Sequence, residues 1–267
     1  MKKYALILLA VPLLWGCSKK SPTTTVQPKM IIGEISWEPV AEVIAEPTPD
    51  PAFTSARVHC DTVRLNLSLF EMDPGRIVLR GRMTSDPLAG TICSLVVSSN
   101  LGGSRGAVVM PGSFQVNKPH DQDTLPFGDV VISWTPSEGA SWFELQVSCG
   151  GYDTLGRNLG WADTALAVYD TITVIPVGFL KRYPAARYLY VWAQIYSHTG
   201  SKPGWQTGNM VGEIRGFLIG TETCSTLLFW VGTPPPGGFL NPEAILPGPL
   251  VSEDRRRAFL RRAFGVD

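Results

Sequence analysis

Asp129-Val130-Val131-Ile132-Ser133-Trp134, Thr135-Pro136-Ser137-Glu138-Gly139-Ala140 and Trp142-Phe143-Glu144-Leu145-Gln146-Val147 are the stretch that decides the fold. The outer two runs are rich in β-branched and aromatic residues, which suit a pleated, half-buried surface. In the middle run, proline presets φ and glycine supplies positive φ, so it reads as a turn. The reading is strand, turn, strand. Further along, Thr171-Ile172-Thr173-Val174-Ile175, Tyr188 to Tyr196 and Gly212 to Gly220 are extended runs of the same kind. No stretch from 53 to 224 carries a helical period of useful length. Short strands separated by Gly/Pro turns at roughly 8–12-residue spacing predict an all-β sandwich or barrel.

The run ending in Trp134, the Pro/Glu/Gly turn and the run opening on Trp142 resemble strands B and C of a fibronectin type III domain, an immunoglobulin-like sandwich. Residues 171–178 resemble strand E and its exit turn. Tyr188-Leu189-Tyr190-Val191-Trp192-Ala193-Gln194-Ile195-Tyr196 resembles strand F, with Leu189 and Val191 at its apolar positions. The tyrosine-corner position falls on Arg187, with Tyr188 one residue late. Residues 212–220 then stand where strand G belongs. The resemblance implies a sandwich over 113–222 with Trp134 packed against strand F, and its motifs carry no activity.

Upstream, Val63, Leu65, Leu67 and Leu69 alternate with Arg64, Asn66 and Ser68, the period of two of a half-buried strand. Asp73-Pro74-Gly75 is turn chemistry and Ile77-Val78-Leu79 resumes the run, so 63–83 reads as a hairpin. Residues 92–97 and 107–110 are two more short β runs. Residues 53–112 are too few for a seven-stranded sandwich of about 100 residues; they form either a small β module or strands that extend the following sheet, and a small separate module packed against the second is expected.

The amino terminus reads as an address. Lys2 and Lys3 precede an uncharged, mostly apolar run from Tyr4 to Gly16, far short of the roughly 20 residues that span a bilayer. A charged start, a short apolar middle and a small residue at the end describe a secretory signal over 1–16. Leu13-Leu14-Trp15-Gly16-Cys17 resembles the lipobox of bacterial lipoproteins. That resemblance implies acyl chains on Cys17, and Ser18 after it resembles the class sorted to the outer membrane. Each buried CH₂ adds about 0.8 kcal/mol, so two or more chains hold stably. Residues 17–52 carry Pro22, Pro28, Pro39, Pro47, Pro49 and Pro51 and read as an extended tether. Met30-Ile31-Ile32 and Ile35-Ser36-Trp37 interrupt it, either as spacer or as a strand docked on the body.

Little in the sequence points to catalysis. Lys+Arg and Asp+Glu both number 23, which excludes a globally basic nucleic-acid binder. His59, His120 and His198 lie far apart. His59 and Cys60 are neighbours on a strand and point to opposite faces, so they cannot share a ligand. No zinc-ligand spacing, nucleophile elbow or phosphate-cradling loop is present, so no cofactor, metal or enzymatic activity is expected. Apart from Cys17, the cysteines are Cys60, Cys93, Cys149 and Cys224. An even number in an exported chain suggests disulfides in one of three pairings. Cys60–Cys93 with Cys149–Cys224 keeps each bridge inside one module; free buried thiols are the alternative. Trp142, Trp161, Trp205 and Tyr196 raise a carbohydrate-stacking reading against the plain one, that aromatics are frequent on sheets.

Residues 223–251 are rich in Pro and Gly and read as a second linker. In 252–267, Ser252 suits an N-cap, and Glu253 and Asp254 suit the positive end of a helix dipole. Phe259, Leu260, Ala263 and Phe264 share one face, and Arg255, Arg256, Arg257, Arg261 and Arg262 take much of the rest. About fourteen residues of isolated amphipathic helix are marginal in water, so the tail is expected to dock. The candidate surfaces are this chain's own body, a partner groove or anionic lipid; a protein partner or lipid is the expected one, through Arg255, Arg256, Phe259, Leu260, Arg261 and Phe264. Together these readings predict an all-β lipoprotein with a non-catalytic binding or scaffolding role at the outer membrane, held by the bilayer through Cys17 and joined by an envelope protein. A carbohydrate-binding or carbohydrate-processing accessory is the alternative.

Overall fold

A computed structural model describes residues 30–180, 182, 184–205, 207–223, 226–233 and 253–265. The expected signal, Cys17, most of the second linker and Cys224 lie outside them. The chain runs β1 (Met30–Ile35), β2 (Val40–Ile44), a 3₁₀ turn (Pro51–Phe53), β3 (Ser55–Cys60), β4 (Val63–Asp73), β5 (Arg76–Arg80), β6 (Ile92–Ser99) and β7 (Gly102–Val109). It continues through β8 (Val116–Lys118), β9 (Thr124–Leu125), β10 (Val130–Trp134), β11 (Trp142–Tyr152), β12 (Asn158–Val168), β13 (Ile172–Ile175) and a short helix α1 (Val177–Leu180). Last come β14 (Tyr188–Gly200), β15 (Val211–Gly212), β16 (Arg215–Thr223), β17 (Leu227–Gly232) and helix α2 (Glu253–Ala263). The all-β class is as expected.

The sandwich has β13-β10-β8 as one sheet and β12-β11-β14 with β17 as the other. This is the strand order the fibronectin-like reading requires. Alternate residues of β11 and β14, Leu145, Val147, Cys149, Leu189, Val191 and Ala193, enter one core with Ile132 and Trp134 of β10. Trp134 is 2% exposed, and its ring meets Phe143 edge-on at 5.2 Å. The tyrosine beside the expected corner, Tyr188, joins a different cluster and stacks on Tyr152 at 5.4 Å.

Strand G is not at 212–220. Leu227–Gly232 fills that place, pairing with Tyr188–Ala193. Residues Arg215–Thr223 instead pair with the far end of β14 and run parallel to β1. Apolar residues point to both sides of β16, Leu218 into one core and Phe217 with Ile219 into another. A strand buried on both faces accepts a neighbour on either edge, and its sequence does not say which. The sandwich therefore extends past 222, and the linker expected over 223–251 begins after a strand.

The second lobe is a curled sheet in the order β16-β1-β2-β5-β4-β3-β6-β7-β15. β4 pairs with β3 through its first half and with β5 through its second, with an irregular register between Leu69 and Glu71. The sheet closes on itself where β15 pairs with β7 and Met210 bridges Gly216. Its core joins Ile31, Val43, Val58, Ile77, Leu95, Val108 and Leu218. Residues 53–112 are thus not self-sufficient, since they need β1 and β2 from the expected tether and β16 from far downstream. The tether is corrected in its second half, where all six residues of β1 are buried. The run Met30-Ile31-Ile32-Gly33 has no proline and fills the lobe, so the docked-strand reading is the right one.

Cys60 and Cys93, directly opposite each other on β3 and β6, form a disulfide. His59 beside them is exposed while Cys60 is buried, as opposite faces require. The Cys149–Cys224 bridge is overturned. Cys149 is a free thiol pointing into the sandwich core, where burial pushes its pKa up to about 12.

Candidate functional site

Every residue of β11 is buried, although only one face looks into the sandwich. The other face carries Trp142, Glu144, Gln146, Ser148, Gly150 and Tyr152, paired in turn with His198, Tyr196, Gln194, Trp192, Tyr190 and Tyr188 of β14. One end of this outer band is charged. The other is an aromatic cluster of Tyr152, Tyr188, Tyr190 and Trp230. Across the lobe boundary the charged end continues onto Glu34 of β1 and Glu42 of β2.

Helix α2 lies over that charged end. Leu260 and Phe264 sink among Met30, Ile32, Phe217 and Ile219, and the Phe264 ring stacks on Phe217 at 4.8 Å. Arg256 reaches between the lobes, donating to Glu34 at 2.6 and 2.9 Å and to Glu144 at 3.2 Å, with its guanidinium 4.2 Å above the Tyr196 ring. Arg257 donates to Glu71 at 3.1 Å and Arg261 to Glu42 at 2.8 Å. Arg255 pairs with Asp163.

Beneath Arg256, Glu144 and His198 are fully buried. Burial alone would raise the Glu144 carboxyl, but the Arg256 charge, with hydrogen bonds from His198 and Gln146, holds it below its usual range. Burial pushes His198 down, against the pull of Glu144, so the imidazole is neutral. The tautomer that fits donates from Nε2 to Glu144 at 3.3 Å and accepts at Nδ1 from the Thr221 hydroxyl at 3.0 Å. Trp142 stacks on the imidazole at 4.1 Å. Burial works to lower Arg256, and Glu34 and Glu144 more than offset it, raising its pKa. A carboxylate and an imidazole sealed under an arginine and a tryptophan form an ionic lock for the helix rather than a reachable acid–base pair.

Beside the lock, a cleft of about 530 Å³ opens between α2 and β12. Trp161, Asp163 and Ala165 line one wall, Arg255, Ala258, Phe259 and Arg262 of α2 the other, and Arg182 the rim. A Cβ at Gly150 would come 3.0 Å from the Trp161 ring, close enough that the indole would have to shift by a few tenths of an ångström. Ser148 donates to Asp163 at 2.7 Å. Among the described residues, no carboxylate lies within ion-pair distance of Arg182 or Arg262.

Four of the six residues expected to bind a partner or lipid are turned inward. Arg256, Leu260, Arg261 and Phe264 are consumed by the body of the same chain, and Arg255 and Phe259 line the cleft. Of the four candidate stacking aromatics, Trp142 is fully buried and Tyr196 lies under Arg256, while Trp205 is 44% exposed and Trp161 lines the cleft. The acidic half of the lock is absent from the sequence reading. Its signal is a lone glutamate in an apolar strand (Glu34 in Met30–Ile35, Glu42 in Val40–Ile44, Glu144 in Trp142–Val147), which demands a buried cation. Among the described residues, no group of three or more His, Cys, Asp or Glu could hold a metal ion, and no helix is long and apolar enough to cross a membrane.

No family model matches this chain, and no curated protein matches it. Among solved structures, it is similar to the crystal structure of chicken CNTN1 FN1-FN3 domains, at 10% identity and a TM-score of 0.24. The match covers 77% of this chain and 66% of that one, just under two thirds of its length. The fold assignment rests on the strand pairing above.

Proposed function

We propose that this chain is an exported lipoprotein, held at the outer membrane by acyl chains on Cys17, with a non-catalytic binding or scaffolding role in the cell envelope. The observation that carries the reading is the Cys60–Cys93 disulfide, which belongs to an oxidising compartment, beside a signal-like run that ends on Cys17. The body that follows is two β lobes and a self-docked helix on a Pro-rich lead. The test is mass spectrometry of the mature amino terminus together with membrane fractionation of Cys17→Ser. An acylated Cys17 and release of the serine variant into the soluble fraction are the expected results. An unmodified cysteine, or a serine variant that still sediments with membranes, overturns the reading. The carbohydrate alternative keeps Trp161 and Trp205 as candidates and loses Trp142 and Tyr196, whose rings are covered.

A further inference from the structure

We infer that Tyr169 and Trp205 form a foot that rests in the headgroup layer of the bilayer holding the acyl chains of Cys17, an inference that rests on the lipoprotein reading above. Among the described residues, these two are the only exposed tyrosine and tryptophan, at 60% and 44%. Every other described ring of either kind is buried or half-buried. The two are also neighbours. Tyr169 donates its hydroxyl to the Pro203 carbonyl at 3.3 Å, in the turn that Trp205 closes by donating its amide to the Lys202 carbonyl at 3.2 Å. The end of α2 holds the same turn, since the Gly204 amide donates to the Ala263 carbonyl at 2.9 Å.

Strand directions put this pair where the anchor arrives. β12 and β14 run the same way, both antiparallel to β11 between them, so Tyr169 after β12 and residues 201–205 after β14 share one end of the body. β16 is antiparallel to β14 and therefore begins at that end, and β1 runs parallel to it with Met30 opposite Arg215. The chain thus enters its first strand at the end that carries both exposed rings. Between Cys17 and Met30 stand only residues 18–29, which reach roughly 45 Å when fully extended. A link that short sets an effective concentration on the order of millimolar at the surface. Two rings would hold an untethered protein poorly, but a tethered body needs only a weak preference to settle one end down. Tryptophan and tyrosine have that preference, with an apolar body and a polar tip that suit the headgroup level. The nearby charges are of both signs, Lys202 and Arg262 against Asp170, so the contact is assigned to the rings and not to anionic lipid.

The experiment supplies the anchor chemically, so it does not depend on acylation in the cell. The mature chain from Cys17 is ligated through its amino-terminal cysteine to a lipid thioester and placed in phosphatidylcholine nanodiscs. Lipid brominated high on its acyl chains should quench part of the tryptophan emission. Trp205→Phe should abolish that quenching and Tyr169→Ser should reduce it, both at exposed positions where the fold is spared. Lipid brominated at the chain ends should quench less, and raised salt, which screens charge, should change nothing. Equal quenching of the parent and Trp205→Phe, stronger quenching from the chain ends, or quenching lost at high salt would overturn the proposal. The two readings fail separately. Unmodified Cys17 in the cellular protein sinks the anchor and this placement with it, whereas an unquenched Trp205 on the ligated chain sinks the foot alone.

Discussion

The two lobes share one continuous sheet but hold together by different means. The sandwich is closed by aromatic and aliphatic packing, with Trp134 against Phe143 at its centre and Cys149 left as a free thiol in the core. The curled lobe has a smaller, largely aliphatic core and a covalent staple, Cys60–Cys93. The sandwich draws its strands from one stretch of chain, β8 to β17, whereas the curled lobe brings together β1 and β16, which lie some 180 residues apart. A lobe assembled from distant segments gains most from a link that restricts the unfolded chain. A lobe built from neighbours can rely on its core.

The largest expected effect breaks the sandwich side of this contrast. Trp134→Ala removes the central ring and should cost roughly 3–5 kcal/mol. Calorimetry should show the sandwich transition lowered or lost, and a nearly unchanged melt would contradict the packing described. Next comes the staple. Cys60→Ser with Cys93→Ser opens a loop of sequence separation 33. The chain-entropy model gives a loss of roughly 3–4 kcal/mol. Reductant should lower the melting temperature of the parent protein and leave the serine variant unmoved. Cys149→Ala should lose only about 1 kcal/mol for a small cavity and confer no change in reductant sensitivity.

The seam between the lobes can be cut separately. Arg256→Ala leaves Glu34 and Glu144 without their cation. Breaking a buried pair on one side costs up to about 3–5 kcal/mol, but release of α2 would let water reach both carboxylates and cap the loss below that. The expected readout is therefore local. Hydrogen exchange should rise sharply in 253–265 and along β1 and β16, while the sandwich core stays protected. Uniform exchange like that of the parent protein would show that Arg256 does not hold the helix.

What could be read in advance follows the same division. The sandwich was legible as far as β14 because its strands up to there follow one another and one of them carries Trp134, so local pattern and topology coincide. The curled lobe was half legible. Alternation at Val63–Leu69 marks a strand, but nothing local says that Met30–Ile35 leaves a proline-rich stretch to pair with residues 215–220. The misplaced strand G has the same origin, as β16 and β17 are both short apolar runs and only tertiary pairing separates them. On the helix, the amphipathic pattern and the need to dock were visible. The docking surface was not, because its acids are scattered singly over β1, β2 and β11, where each looks like an isolated interruption of an apolar strand.

The smallest expected effect is a pH slope, and it sharpens the contrast by locating titration at the seam. His198 is depressed in the folded state, so the unfolded chain binds a proton there first as pH falls below the ordinary value near 6.5. Stability from this group is fully present above that value and declines as pH drops toward the folded pKa. Glu144 is depressed as well, and its contribution is lost in the same direction, only below its ordinary value near 4.5. Between pH 6.5 and 5 the histidine should therefore dominate, and His198→Gln should flatten the fall in melting temperature over that interval while the steeper fall below pH 4.5 remains. Release of α2 should accompany it, read as exchange in 253–265 that increases with acidity beyond the intrinsic rate. A variant with the parent's slope between pH 6.5 and 5 would place the titrating group elsewhere than under Arg256.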